Sequence, residues 1–126
     1  MKKIIQTDNA PQAIGTYSQG VLVNNTLYVS GQIPLNPDTM QLVSKEFRDQ
    51  AHQVFKNLKA VIEAAGGDVS KFVKLTIFLT DLSDFPTVNE VMSEYFSKPY
   101  PARSAVEISA LPKSVKIEIE GIADLS

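Results

Sequence analysis

The sequence predicts an α+β protein: a single mixed β-sheet with two helices packed side by side on one face. Two stretches carry apolar residues at steps of three and four, which is the signature of amphipathic helices. Around them lie runs of alternating apolar and polar residues, the period of half-buried strands. The elements follow one another as ββ-α-β-α-ββ with a candidate leading strand, and no internal repeat, linker or low-complexity segment interrupts them. The 126 residues therefore read as one domain spanning 1–126.

In chain order, Lys2 to Gln6 is a candidate short edge strand, and Asn9 to Gly15, with Pro11 and Gly15, is loop. Residues 17–23 read as a strand with Val21 and Val23 on one face. Asn24-Asn25 is a turn dipeptide, because asparagine tolerates the left-handed backbone of tight hairpins. Residues 26–30 return from it, and Gly31 to Pro34 ends the hairpin. Residues 35–43 are irregular. Phe47, Ala51, Val54, Phe55, Leu58, Val61, Ile62 and Ala65 form the first helical stripe, with Lys45, Arg48, Gln50, Lys56, Lys59 and Glu63 mostly on the other side. Gly66-Gly67 stops it. Residues 71–80 are a strand with Val73, Leu75, Ile77 and Leu79 on one face and Phe72, Lys74, Thr76, Phe78 and Thr80 on the other. Ser83 or Asp84 is placed to cap the second helix, and Pro86 is tolerated in its first turn. Its stripe is Phe85, Val88, Val91, Met92, Tyr95 and Phe96, ending at Pro99. Residues 104–111 and 114–122 are the last strands, separated by Pro112-Lys113.

Composition bounds the chemistry. The chain is 44% hydrophobic and 21% charged, with 7 prolines and 6 glycines, a globular balance that can bury a core without staples. The absence of cysteine excludes disulfides, a thiol nucleophile and cysteine-ligated metal, and fits a reducing compartment. A formal net charge of −2 argues against a nucleic-acid surface. The Lys2-Lys3-Ile4-Ile5 opening is followed at once by polar residues, so no signal-peptide apolar region is expected. No stretch has the length to cross a membrane, and a cytoplasmic location is expected. His52 is the only histidine. It is expected to face solvent or the edge of the first stripe, and alone it supports neither a zinc site nor a catalytic triad. Chemistry is left to arginine, glutamate, tyrosine, hydroxyls and backbone amides.

Two places stand out. In Pro99-Tyr100-Pro101-Ala102-Arg103-Ser104, each proline fixes its own φ and biases the residue before it to extended backbone. Arg103 therefore leaves a restrained chain, as suits a receptor for a planar carboxylate; a surface arginine in an ordinary helix-to-strand loop has the same spacing. In the last strand, Val115, Ile117 and Ile119 alternate with Lys116, Glu118 and Glu120, which sends the glutamates to the helix-free face. With Phe72 and Phe78 also assigned there, that face is half apolar, and burial against a second copy is expected. Partial burial would raise the pKa of a carboxylate there, and a neighbouring arginine would lower it. Ordinary strand polarity accounts equally well for both glutamates.

Four segments in order resemble one family. Ala13-Ile14-Gly15-Thr16-Tyr17-Ser18-Gln19-Gly20 is similar to the G-P-Y-S-Q segment of the RidA/YjgF reactive-intermediate deaminases, and Ser30-Gly31-Gln32-Ile33-Pro34 to their S-G-Q-I-P. Pro101-Ala102-Arg103-Ser104 resembles P-A-R-S, and Leu111-Pro112-Lys113 to Ile117-Glu118-Ile119-Glu120 resembles L-P-x-x-x-x-I-E-I-E. Asn89 stands in a matching V-N-E context. The resemblance implies a chorismate-mutase-like subunit and a homotrimer with three inter-subunit clefts. It implies hydrolysis of 2-imino acids, such as 2-iminobutanoate and 2-iminopropanoate, to 2-oxo acids and ammonia, with no metal or organic cofactor. By resemblance Arg103 binds the substrate carboxylate, Glu118 orients or activates water, and Tyr17, Ser30, Gly31 and Asn89 line the cleft. Thr16 stands where the family usually has proline, and Ala105, at a substrate-binding position, where many members have cysteine.

The chemistry of the residues agrees. Imine hydrolysis needs an anchored carboxylate, a water held at the C=N carbon and proton transfer to nitrogen. An arginine, a carboxylate and backbone donors near Gly31 suffice for that. Two rival functions are compatible with the same residues: a non-catalytic regulatory protein that binds small carboxylates in the same cleft, and an endoribonuclease or translation inhibitor. Arg103 is expected to open onto the same helix-free face as Glu118, facing the Tyr17 and Ser30 hairpin of a neighbouring subunit.

Overall fold

The computed structural model describes residues 2–126. Six strands form one mixed sheet in the order β1-β2-β3-β6-β4-β5. They are β1 (Lys2–Ile5), β2 (Gly20–Val23), β3 (Thr26–Gln32), β4 (Phe72–Leu79), β5 (Ala102–Glu107) and β6 (Ile117–Asp124). Two helices, α1 (Phe47–Ala64) and α2 (Phe85–Met92), complete the expected order. All pairings are antiparallel except β4 with β5, which α2 connects as a crossover. The chain's last strand, β6, lies between β3 and β4 near the middle of the sheet.

The core lies between the sheet and the helices. Ala51, Val54, Phe55, Leu58, Val61 and Ile62 of α1 and Val88 and Val91 of α2 pack on Leu27, Val29, Leu75, Ile77, Leu79, Ile117 and Ile119. The alternation read in β6 holds: Ile117, Ile119 and Ala123 are buried, while Glu118, Glu120 and Asp124 lie on the opposite face. Asn24 has a φ of 54°, the left-handed turn its sequence predicts.

Several expectations are corrected. The strand expected from residue 17 begins only at Gly20, so Tyr17 belongs to the preceding loop. Phe72, assigned to the open face, is buried at 4% exposure, while Val73 is 49% exposed. The cause is a bulge: Phe72 pairs with Ala123 and Lys74 with Ile122, leaving Val73 as the extra residue. The Phe72 ring lies over Gly121, where an added Cβ would stand 2.7 Å from it, and meets Phe96 at 6.2 Å between centroids. Helix α2 stops at Met92 rather than near Pro99, and turns carry Tyr95 and Phe96 back to the core. Its lead-in is capped by Asp81, which accepts from the Ser83 N–H, rather than by Ser83 or Asp84. Gln50 is buried instead of lying on the polar side of α1. β5 starts at Ala102 and ends at Glu107, earlier at both ends than 104–111, and β6 starts later, at Ile117, and ends at Asp124.

Even without Phe72 the helix-free face is half apolar. Ile4 and Tyr28 are each 51% exposed there, with Val21, Val23, Phe78, Val106 and Ile122 beside them through the strand registers. Among the described residues no helix is long and apolar enough to cross a membrane.

Candidate active site

Strand β3 is bent where it meets β6. Val29 pairs with Gly121 and Gln32 with Ile119, so Ser30 and Gly31 together oppose Glu120. This second bulge lets the chain pass under the neighbouring carboxylate. Glu118 lies so close over Gly31 that a Cβ at position 31 would stand 1.9 Å from its Oε2 and 2.8 Å from its Cδ. No positive φ is required at Gly31; the close approach alone excludes a side chain. Glu118 is half-buried. Burial, and then the nearby charge of Glu120, push its carboxyl above the ordinary range. A carboxylate raised this way is suited to exchanging a proton with a bound water.

Glu118, Gly31, Ser30 and Tyr17 share an open cleft of about 830 Å³, walled also by Ile14, Ile33, Met40, Pro112 and Lys113. Three buried amides not singled out in the sequence brace the chain at its walls or next to them. Gln19 donates from Nε2 to the carbonyls of Thr7, Ala10 and Pro11 and accepts at Oε1 from the Thr7 N–H at 2.7 Å. It therefore pins the loop that carries Tyr17, a residue 53% exposed whose hydroxyl accepts from the Ile14 N–H. Ser30 donates from its hydroxyl to the Ser18 carbonyl, and its N–H donates to the Gln19 carbonyl. Asn57 of α1 donates to the carbonyls of Ile33 and Leu35. Gln50 accepts from the Lys116 N–H at 2.8 Å and donates to the Ser44 carbonyl. Their only advance signal was polarity within an apolar helical stripe or, for Gln19, beside a strand. Gln19→Leu is expected to cost about 1–3 kcal/mol, because buried carbonyls lose their donor. Urea unfolding checks this, and unchanged stability would remove Gln19 as the pin of the loop.

Arg103 is placed differently from the expectation. In the parallel pairing of β4 with β5, Arg103 stands opposite Leu75, whereas Thr76 and Phe78 of the open face stand opposite Ser104 and Val106. Arg103 thus projects to the helix side of the sheet, not to the face of Glu118. Its guanidinium carbon lies 4.8 Å from the Phe85 ring centre, and its Nη1 donates to Asn89 Oδ1 at 2.7 Å. With Asn89, Met92, Ser93, Tyr100 and Pro101 it lines a separate recess of about 480 Å³. Ala105, two residues on, faces the same side and is partly buried against the core. Within one chain, then, Tyr17, Ser30, Gly31 and Glu118 come together, Asn89 and Arg103 come together, and the two groups stay apart. His52 sits at the stripe edge, its Nδ1 3.0 Å from the Tyr95 hydroxyl, and belongs to neither group.

Fold and site define a small α+β protein that carries a half-buried carboxylate, Glu118, and an arginine, Arg103, on opposite sides of one sheet. The family described as Endoribonuclease L-PSP matches residues 7–125. A 2-iminobutanoate/2-iminopropanoate deaminase of Dermatophagoides farinae is 51% identical over 121 residues, covering 96% of this chain and 94% of that protein. The crystal structure of RidA from an Antarctic Psychrobacter superposes with a TM-score of 0.94 at 54% identity, covering 97% of this chain and 98% of that one. A Thermotoga maritima structure described as a putative endoribonuclease gives 0.97 at 48% identity, with 100% and 99% covered. The chain belongs to this family, the RidA/YjgF family.

Proposed function

We propose that this protein hydrolyses 2-imino acids, such as 2-iminobutanoate and 2-iminopropanoate, to 2-oxo acids and ammonia. The observation that carries the reading is the half-buried Glu118 carboxylate, seated on Gly31 in a cleft, in a chain half identical to a deaminase of that name. The substrate carboxylate pairs with Arg103. Glu118 takes a proton from a water as it adds to the C=N carbon and returns it to the nitrogen, then carries the hydroxyl proton of the resulting carbinolamine to the same nitrogen, which leaves as ammonia as the carbonyl forms. Free imines already hydrolyse in water, so positioning and one acid–base group cover the barrier.

For Arg103 and Glu118 to act on one molecule they must come from different copies. We propose a homotrimer whose open sheet faces turn inward, each cleft pairing Arg103 and Asn89 of one subunit with Tyr17, Ser30, Gly31 and Glu118 of the next. The apolar residues of the helix-free face and the separation of the two groups in one chain support this arrangement. Sedimentation as a monomer at working concentration would overturn it.

The assay is release of ammonia or oxo acid from imine generated in place by an amino-acid oxidase. Glu118 acts in its ionised form as the base, so activity falls as the pH drops through its pKa. That pKa is raised, so the acid limb of kcat/KM is expected above the ordinary carboxylate range. Glu120→Gln removes one of the two raising influences and is expected to move the limb to lower pH. Glu118→Gln is expected to remove the limb and lower kcat more than it raises KM. A pH profile identical in all three proteins would take Glu118 out of the mechanism.

The names of some relatives favour a second reading, cleavage of RNA. The net charge of −2 and a lone histidine engaged with Tyr95 argue against it. Ribonuclease activity that copurifies with the protein and is lost in Arg103→Ala would establish it.

A further inference from the structure

We propose that Phe85, Asn89 and Met92 form a clamp that fixes which edge of the Arg103 guanidinium is offered to an anion, with the Phe85 ring as its positioning element. The inference rests on the reading of Arg103 as the carboxylate receptor. The three residues stand at i, i+4 and i+7 of α2, on the helix face turned toward β5. An arginine on an exposed edge strand has many rotamers open to it. This one lies over the Phe85 ring, whose negative face attracts the cation. Its Nη1 donates to Asn89 Oδ1 at 2.7 Å and to Met92 Sδ at 3.7 Å, which uses both hydrogens of that nitrogen.

The consequence is directional. With Nη1 committed, the Nε–H and the Nη2 hydrogens form the remaining edge, and two parallel N–H donors are what a planar carboxylate accepts as a bidentate partner. The clamp settles the guanidinium before substrate arrives, so less freedom is lost on binding. The stripe position of Phe85 marks it as a core residue by sequence. Here its ring also serves as the floor under a functional cation.

The test measures 2-oxobutanoate affinity by calorimetry, together with KM and kcat for imine hydrolysis, in Phe85→Leu, Phe85→Trp, Asn89→Ala and Arg103→Ala. Leucine keeps apolar bulk and removes the ring. Phe85→Leu is expected to weaken binding and raise KM roughly three- to tenfold, with a smaller change in kcat. Phe85→Trp is expected to retain near-native affinity despite its size, because the ring face is preserved. Asn89→Ala is expected to move affinity in the same direction as Phe85→Leu. Native affinity in a folded Phe85→Leu, or equal loss in Phe85→Leu and Phe85→Trp, overturns the clamp. Should Phe85→Leu fail to fold, Asn89→Ala decides, since Asn89 is exposed: native affinity there also overturns it. Arg103→Ala separates this inference from its premise. If Arg103→Ala binds 2-oxobutanoate normally, the carboxylate-receptor reading fails; if it loses binding while Phe85→Leu does not, the clamp alone fails.

Discussion

Arg103→Ala is expected to lower kcat/KM for 2-imino acids by at least tens-fold. Truncating one partner of a hydrogen-bonded charge pair in an enclosed site costs about 2–5 kcal/mol, and each ~1.4 kcal/mol is a factor of ten. Arg103 lies on edge strand β5 with most of its contacts made to α2, so its removal is not expected to disturb the core. The loss should therefore come without a matching fall in melting temperature. Arg103→Lys is expected to recover only part of it. An ammonium restores the charge, but it cannot present two parallel donors or lie as a plane over Phe85. Imine hydrolysis assays on the three proteins, with thermal melts alongside, check both statements. Wild-type turnover in Arg103→Ala would remove this residue from the site.

What could be read from the chain follows the range of each physical signal. Strand parity is local, so the burial of Ile117 and Ile119 and the outward turn of Glu118 and Glu120 were legible in β6. Helical periodicity is local too, and the α1 stripe emerged with its glycine stop intact. The bulge at Val73 was hidden because Phe72 and Val73 are both apolar, and no pattern says which of the two turns inward. Gln19, Gln50 and Asn57 were hidden for another reason. Each is polar by composition but buried by its partners, which are backbone groups up to 66 residues away in the chain. The relation between Arg103 and Glu118 needed still more. Each residue's parity within its own strand is simple to count. Whether the two share a face depends on β4 lying between them, parallel to one strand and antiparallel to the other, and a single sequence does not fix that order. The division of the proposed site residues into two groups thus required the sheet.

Gly31→Ala is expected to lower kcat/KM about a hundredfold while leaving the fold nearly unchanged. Position 31 has no positive φ, so alanine brings no backbone strain. Its methyl would overlap the Glu118 carboxylate, with 1.9 Å to Oε2 and 2.8 Å to Cδ. The obstruction is one flexible side chain rather than backbone, so the cheapest relief is for Glu118 to swing away. A displacement on the scale of 1 Å at a reacting group can cost about 10²-fold in rate. The variant thus separates having a carboxylate at position 118 from having it in place. The melting temperature and the oligomeric state should stay near native, and Glu118 should lose its raised pKa as it moves toward solvent, taking the acid limb of the pH profile down with it. Steady-state kinetics from acid to neutral pH measure both effects. Native kcat/KM in Gly31→Ala would show that the contact between Gly31 and Glu118 does not set the reaction geometry, and the water-activating role would then have to lie elsewhere in the cleft.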